Sequence, residues 1–326
     1  MKFIKDILLI ISCILLLVSC NNLNNDYISI TCTTYDQLNT ENMTTTIYQY
    51  IPKTGKTTEV FSFPYTSQYP LGVFDSHSNT VYYTKRDNLN HDQIFSFNLK
   101  TKESTQLTNN LRAVNQIVPT KDKIFFVASI NRVLRLGAID KNSGTVSYWG
   151  DEDTNVETIT INPSTEKIYV SFFSYKEDRE AIENQFVSDE YSYSVPLFSI
   201  SETDYSFMNT NLIMSGHAWI RLLMIDPTNN NLIAIYDKEY NSEEDSMAVS
   251  INTTSYEIKE FILPPERMQV DGGCFSTDGN GVYVLSVIND ERGIYYFDFT
   301  AKEYIPIFIS ENGFVNNFQS FLNVNK

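Results

Sequence analysis

The feature that most constrains this chain is an internal repeat. Five segments share one form: an apolar residue, a turn rich in Asp, Asn, Ser, Thr or Pro, and an apolar or aromatic pair that opens a strand. They are residues 74–82, 118–125, 161–169, 225–233 and 275–283. Their closing residues, Tyr82, Phe125, Tyr169, Ile233 and Tyr283, follow one another at steps of 43, 44, 64 and 50 residues. Steps of about 40–50 residues are typical of the four-stranded blades of a β-propeller.

A second series of strands follows the repeated hairpins, and each strand ends in a polar turn. These strands are residues 47–51, 94–99, 134–139, 197–200, 247–251 and 294–299. Residues 27–32 open the first unit at its second strand, whereas residues 314–322 supply a spare inner strand after the last unit. Pairing these two segments closes the ring and removes both exposed edges. We therefore predict an all-β, six-bladed β-propeller closed by pairing of the C-terminal strand with the N-terminal blade.

The body of the chain shows little sign of helix. The one helical candidate is residues 177–186, inside the long step of the repeat, so a second domain is not indicated.

The N-terminus predicts export. Lys2 and Lys5 precede twelve mostly apolar residues, 7–18, which are too few to span a bilayer as a helix and are typical of a secretory signal peptide. Residues 17–20, Leu-Val-Ser-Cys, resemble the lipobox of bacterial lipoproteins, which implies that Cys20 becomes the mature N-terminus and carries acyl chains such as palmitate. The expected division is 1–19 lipoprotein signal peptide, 20–26 lipidated Cys20 with a polar tether, and 27–326 propeller. The alternative is an ordinary signal peptide or a single membrane anchor.

The charge of the chain limits the classes of molecule that it can bind, and its cysteine content limits the possible disulfides. The 326 residues carry 24 Lys and Arg against 40 Asp and Glu, a net charge of −16. An acidic chain lacks the basic footprint that nucleic acids require, and it gains nothing from anionic lipid, so membrane attachment is expected through the acyl chains alone. Apart from Cys13 and Cys20, Cys32 and Cys274 remain, either as a disulfide or as two buried thiols.

Two short motifs carry a family resemblance. Residues 275–283, Phe-Ser-Thr-Asp-Gly-Asn-Gly-Val-Tyr, resemble the hairpin of TolB-like propellers, with Thr277 where proline is usual. Residues 81–84, Val-Tyr-Tyr-Thr, are similar to the Tyr-Trp-Thr-Asp repeat of low-density-lipoprotein-receptor-type propellers, with Tyr83 for Trp and Lys85 for Asp. The resemblance covers about residues 27–323 and implies six blades. Such propellers mostly act as rigid discs that bind proteins or small ligands, and some carry lyase or hydrolase sites, so the fold does not choose among these functions.

The candidate site lies on the face that carries the loops between second and third strands and the loops that enter each inner strand. The variable loops there are residues 85–92, 175–194, 237–246 and 289–292, and insertions in repeat proteins tend to fall on the binding face. The alternative is that these are solvated hairpin tips. The candidate ligand-binding residues are Arg86, Arg112, Tyr191, His217, Trp219 and Asp271; Asn155, Glu157, Gln269 and Asn316 also enter inner strands.

Each candidate has a structural alternative. His217 can titrate and Trp219 can stack on a sugar or a cation, but a lone histidine often makes only a local hydrogen bond, and a strand tryptophan often packs between blades. Arg112 with Asp271 or Glu157 would hold a carboxylate or a sugar hydroxyl, or form a buried ion pair.

The sequence contains no G-x-S-x-G, H-E-x-x-H, P-loop or G-x-G-x-x-G motif. No catalytic residue, metal ligand or cofactor is therefore predicted. The expected function is a binding or scaffold module for an envelope protein or a glycan, in the form of a monomeric disc on the membrane. One alternative is a small lyase-like enzyme that uses His217, Arg112 and Asp271 at the channel mouth, and another is a purely structural envelope subunit.

Overall fold

A computed structural model describes residues 26–36, 39–66, 69–188, 195–240, 246–262 and 272–321. Its strands are β1 Tyr27–Asp36, β2 Asn39–Ile51, β3 Lys56–Pro64, β4 Gly72–Asp75, β5 Thr80–Arg86, β6 Asp92–Asn98, β7 Ser104–Gln106, β8 Ala113–Pro119, β9 Lys123–Ile130, β10 Val133–Asp140, β11 Val146–Tyr148, β12 Thr154–Asn162, β13 Lys167–Ser174, β14 Phe198–Asp204, β15 Thr210–Gly216, β16 Trp219–Ile225, β17 Leu232–Asp237, β18 Met247–Ile251, β19 Ile258–Glu260, β20 Gly272–Phe275, β21 Gly281–Ile288, β22 Glu291–Asp298, β23 Glu303–Ile309 and β24 Gly313–Phe321. One helix, α1 Tyr175–Ser188, connects β13 to β14.

The strands form six antiparallel sheets of four, which we number as blades along the chain. Blade 1 has the order β24-β1-β2-β3, and blades 2 to 6 each take four consecutive strands from β4, β8, β12, β16 and β20. In blade 1 the last strand, β24, lies innermost and pairs with β1 from Tyr27 opposite Phe321 to Thr34 opposite Gly313. The predicted six blades and the predicted closure are both confirmed.

The turn residues explain the repeated sequence pattern. After the inner strands of blades 2, 4 and 5, Asp75, Asn162 and Asp226 accept a hydrogen bond from the main-chain nitrogen two residues on, at 2.9–3.0 Å. The hairpins between third and fourth strands use the same device at Asn98, Asp140, Asp204, Asn252 and Asp298. Asp and Asn recur at these places because their side chains close a turn on the main chain.

Six separate apolar clusters of buried residues fill the junctions between neighbouring blades in the part of the chain that the structure describes. Around the ring, from the junction of blades 1 and 2 to that of blades 6 and 1, their central members are Val81, Phe126, Val127, Ile200, Val284 and Ile30. Each blade therefore gains its stability from two neighbours, and the ring stabilises all the junctions only when it is closed.

Side chains also satisfy the free edge of several inner strands. Gln116 of blade 3 donates to the Ile159 carbonyl at 3.0 Å and accepts from the Ile159 nitrogen. Ser171 of blade 4 donates to the Ile220 carbonyl at 3.1 Å, and Thr31 of blade 1 donates to the Gly72 carbonyl at 2.6 Å. These bonds join one blade to the next and satisfy backbone groups at the inner edges of the sheets.

Cys32 and Cys274 are both free thiols, which resolves the alternative in favour of no disulfide. Cys32 lies opposite Val315 of β24, whereas Cys274 is hydrogen-bonded to Ser320, five residues further along that strand. Five residues of strand span roughly 16 Å, beyond the reach of a disulfide. Burial raises the pKa of Cys274 to about 12 and also raises that of Cys32, so both thiols stay protonated.

Candidate functional site

Four inner strands carry a β-bulge at a similar height in the ring. In blade 3 the pairing passes from Val114 to Gln116, which leaves Asn115 as the extra residue. The same shift leaves Glu157 extra in blade 4, Arg221 extra in blade 5 and Asn316 extra in blade 1. A bulge re-aims the side chain of its extra residue and is common beside functional sites. Three of the four, Asn115, Glu157 and Arg221, line a cavity in the middle of the ring.

The cavity has a volume of about 330 Å³ and is walled by the inner strands of blades 1, 3, 4, 5 and 6. It extends from the bulges to Pro163 and Pro227, which lie in the hairpins between first and second strands. That is the end of the ring opposite to α1. Its polar wall includes Thr158, Thr160, Asn317, Gln319 and Ser320, and Glu157 and Arg221 are the charged members among the described lining residues.

Glu157 is held by a tryptophan from the next blade. The Trp219 indole donates from Nε1 to Glu157 Oε1 at 3.1 Å. Burial raises the pKa of Glu157, and this hydrogen bond and the charge of Arg221 oppose the rise. Asp178, in the first turn of α1, opposes ionisation of Glu157 and itself has a pKa raised by burial. The bulge of blade 4 thus supplies a carboxyl group that binds protons more tightly than an exposed glutamate.

Arg221 is anchored on three sides. Its Nη1 lies 3.2 Å from Asp237 Oδ2, its Nη2 donates to Ser246 Oγ at 3.3 Å, and its guanidinium stacks on the Trp219 ring at 5.3 Å. Since Asp237 is buried, the pair is shielded from water and its geometry is well defined. The charge of Arg221 is therefore largely balanced within the protein.

Helix α1 stands on the end of the ring that carries the connections between second and third strands, here called the loop face. Ser174 caps it, since its Oγ accepts from the Glu177 nitrogen at 3.1 Å, and Asp153 Oδ1 accepts from the Lys176 nitrogen at 2.7 Å. Asp153 Oδ2 also accepts from Ser174 Oγ at 2.6 Å. The helix is thus attached firmly at its N-terminus. The predicted helical segment 177–186 lies inside it.

The candidate residues fall into two groups. His217 is exposed and its Nδ1 lies 3.1 Å from the Val195 carbonyl, while Trp219 joins Glu157 and Arg221 as described above. Arg86 and Arg112 are exposed on the other side of the ring. Arg86 lies opposite Asp92 in the pairing of β5 with β6, and the Arg112 carbonyl accepts from the Asp92 nitrogen at 3.3 Å. The charge of Arg86 therefore acts on Asp92, whereas Arg112 contacts Asp92 through its main chain, and neither arginine is the partner of Glu157.

Asp92 is a buried carboxyl group of blade 2. It is 1% exposed, its Oδ2 accepts from Thr66 Oγ1 at 3.2 Å, and its Oδ1 has no hydrogen-bond partner in the described part of the chain. Burial raises its pKa, although Thr66 and the charge of Arg86 oppose the rise.

Cys20, Tyr191, Gln269 and Asp271 lie outside the described residues, as do the predicted segments 1–19 and 20–25. Asn155 is buried and accepts from the Leu134 nitrogen at 2.9 Å, so it joins blades 3 and 4. Asn316 is buried and accepts from Thr33 Oγ1 at 3.0 Å. Sequence reasoning missed Arg221 and Asn115, because a bulge leaves no signature in a run of apolar residues.

Within the described ranges no group of three or more His, Cys, Asp or Glu residues is arranged to hold a metal ion. No helix among the described residues is both long and apolar enough to cross a bilayer.

Six four-stranded blades around a central cavity define the class of this protein, a six-bladed β-propeller. It is similar in fold to TolB from Acinetobacter baumannii, with 13% identity and a TM-score of 0.58 over 90% of this chain and 66% of that one. It therefore spans slightly less than two thirds of the TolB chain. It is also similar to a chain of a nidogen/laminin complex, with 12% identity and a TM-score of 0.57 over 91% of this chain and 99% of that one.

An oligogalacturonate lyase in complex with manganese is a further neighbour, with 13% identity and a TM-score of 0.52 over 88% of this chain and 75% of that one. At such identities the likeness concerns the fold. The sequence matches no protein-family model and no curated protein.

The raised pKa of Glu157 predicts a pH-dependent effect of Glu157→Gln, a change that retains an oxygen for Trp219. Because the folded pKa of Glu157 lies above its ordinary value of 4.5, ionisation destabilises the folded state as pH rises from about 4.5 through the raised pKa. We expect the variant to match the wild type near pH 4 and to have a higher melting temperature near pH 8, measured by circular dichroism. Glu103→Gln, at an exposed position, should show no such trend. A difference that is independent of pH would contradict this account.

Proposed function

We propose that this protein is an extracytoplasmic, lipid-anchored binding module that holds an envelope protein or a glycan on its loop face. The observation that carries the proposal is α1. Where blades 3 and 6 connect their second and third strands by two residues, blade 4 has a 14-residue helix that is capped and anchored to the ring. A rigid disc with one elaborated connection is suited to recognition, because the fold holds the helix in place while its outer surface varies.

Between residues 176 and 183, the side chains that α1 exposes are charged rather than apolar. Lys176 and Glu180 are 76% and 61% exposed, and Arg179 and Glu183 are 49% and 68% exposed. Their ion pairs, at 3.9 and 3.4 Å, lie along the helix and are weak because water screens them. These side chains are thus available to a polar partner, and they set its orientation and association rate more than its affinity.

The proposed location depends on the N-terminus. The lipobox-like residues 17–20 and the short apolar run before them support export and acylation at Cys20. β1 begins at Tyr27, on the inner part of blade 1, so six residues would join the lipidated cysteine to the ring. The disc would then lie close to the membrane.

A second candidate function is a small lyase-like enzyme that works at the channel. The observation in its favour is Glu157, a half-buried carboxyl group with a raised pKa on the wall of the cavity, near Arg221. A carboxyl group of raised pKa is suited to proton transfer. Chemical change of a bound ligand would distinguish this function from binding alone.

The binding face predicts the effect of reversing charge on α1. Lys176→Glu with Arg179→Glu should reduce partner capture about tenfold or more, measured by crosslinking in cells, pull-down and mass spectrometry. The matched control is Lys100→Glu with Lys302→Glu, which makes the same charge change in hairpins on the opposite face and should leave capture intact. Equal capture by both double variants would contradict the assigned face. Capture of nothing by the wild type would contradict a protein partner.

The anchor predicts the effect of Cys20→Ala. This variant should move from the detergent phase to the aqueous phase when cells are extracted with a phase-separating detergent, because it lacks the acylated thiol. Cys13→Ala, in the apolar run of the signal peptide, is the matched control and should stay in the detergent phase. Unchanged partitioning of Cys20→Ala would contradict lipid anchoring at this residue.

A further inference from the structure

The central cavity has the composition of a site for an uncharged polar ligand. Its wall combines amide groups, at Asn115, Asn317 and Gln319, with hydroxyl groups, at Thr160 and Ser320. They come from blades 1, 3 and 4, so donors and acceptors face one another across the channel. Ligand sites typically place a few such polar groups in a concave pocket, and about 330 Å³ is near the lower end of their range.

The charged groups of the wall do not favour an ionic ligand. Arg221 is paired with Asp237 at 3.2 Å, and Glu157 accepts from Trp219 at 3.1 Å. The Arg221 guanidinium and the Glu157 carboxyl group thus already have partners inside the protein. Neither group is left to neutralise the charge of a bound ion. The net charge of −16 further disfavours anions.

Asn317 is a member of the wall whose side-chain oxygen is left without a hydrogen bond in the described part of the chain. This Oδ1 is buried and has no hydrogen-bond partner among the described residues, in contrast to Gln116 and Asn162, whose amides bond to Ile159 and Asn230. An unsatisfied buried amide costs stability, and a half-turn of the side chain exchanges its oxygen and nitrogen with little change of shape. A ligand with adjacent hydroxyl groups would satisfy it in either orientation.

The wall also has apolar surface, from aliphatic side chains such as Leu222 and Met224 and from Phe275 and Phe318. Phe318 is the neighbour of Asn317 on β24. An aromatic ring beside amides and hydroxyls matches the two kinds of surface of a sugar, whose C–H groups pack on apolar rings while its hydroxyls form hydrogen bonds.

We propose that the central cavity binds a neutral, hydroxyl-rich molecule of monosaccharide or disaccharide size, oriented by Asn115 at the bulge of blade 3, Thr160 of blade 4 and Asn317 of blade 1. This site is distinct from the proposed loop-face site, since the cavity extends towards the opposite end of the ring. The test of cavity binding does not depend on α1 or on lipidation. A negative result for the cavity would therefore leave the proposed binding on the loop face unaffected, and the reverse also holds.

The test uses the full chain purified in detergent and a panel of neutral probes: pentoses, hexoses, N-acetylhexosamines and disaccharides. Saturation-transfer difference NMR should detect at least one neutral sugar, with weaker signals from glucuronate, glucosamine and alanine. Silence of every neutral sugar would overturn the proposal, and so would a preference for a charged or zwitterionic probe.

Two variants locate the binding. Asn317→Leu keeps the volume but removes the amide, so it should weaken binding about tenfold, by titration calorimetry, without lowering the melting temperature. If that variant fails to fold, Thr160→Val removes a hydroxyl from the facing wall at constant shape and should also weaken binding. The matched control Asn142→Leu, in the exposed hairpin between β10 and β11, should bind like the wild type. Binding that neither cavity variant weakens would overturn the assignment.

Discussion

The pairing of β24 with β1 is the interaction on which the rest of the structure depends. It joins residues almost 300 positions apart, from Tyr27 opposite Phe321 to Thr34 opposite Gly313. Ile28, Ile30 and Val315 are at most 1% exposed at this junction, and each such side chain contributes about 1.5–3 kcal/mol of hydrophobic free energy when it leaves water. Without this pairing, blade 1 would lose its inner strand, and the apolar clusters it shares with blades 2 and 6 would open.

A closed ring has consequences for function. Since each blade is stabilised by packing against two neighbours, the fold does not depend on the connections on the loop face. These connections can therefore differ in length, and that of blade 4 contains helix α1. The same closure brings the inner strands close together around a channel. Four of them depart from regular pairing by one residue, and three of these bulges direct polar side chains at one cavity. The packed junctions between blades therefore hold the inner strands in place, and the bulges in those strands direct the polar side chains into the cavity.

Much of the fold could be predicted from the sequence because its signals are local. The Asx turns at residues such as Asp75 and Asp226 repeat at blade spacing, and the apolar alternation between them fits strands. The closing role of the C-terminal strand could be predicted because the first repeat unit lacks an inner strand and one strand remains after the last unit.

Less of the candidate site could be predicted from the sequence. Its geometry depends on bulges at Asn115 and Arg221 that no turn residue marks, and on contacts such as that of Trp219 with Glu157, 62 residues apart. The sequence makes Arg112 a candidate partner of Glu157, whereas Trp219 and Arg221 of blade 5 are the groups that act on Glu157 in this way.

Hydrogen exchange of the full chain, followed by mass spectrometry of its peptides, tests the closure most directly. If the ring is one cooperative unit, the amides of β24 and β1 should be as strongly protected as those of the central strand β9, Lys123–Ile130, and all three should exchange only on global unfolding. The short outer strands β7 and β11 serve as the fast-exchanging reference. Exchange of β24 at the rate of these outer strands, while β9 stays protected, would contradict the dependence of the fold on this pairing.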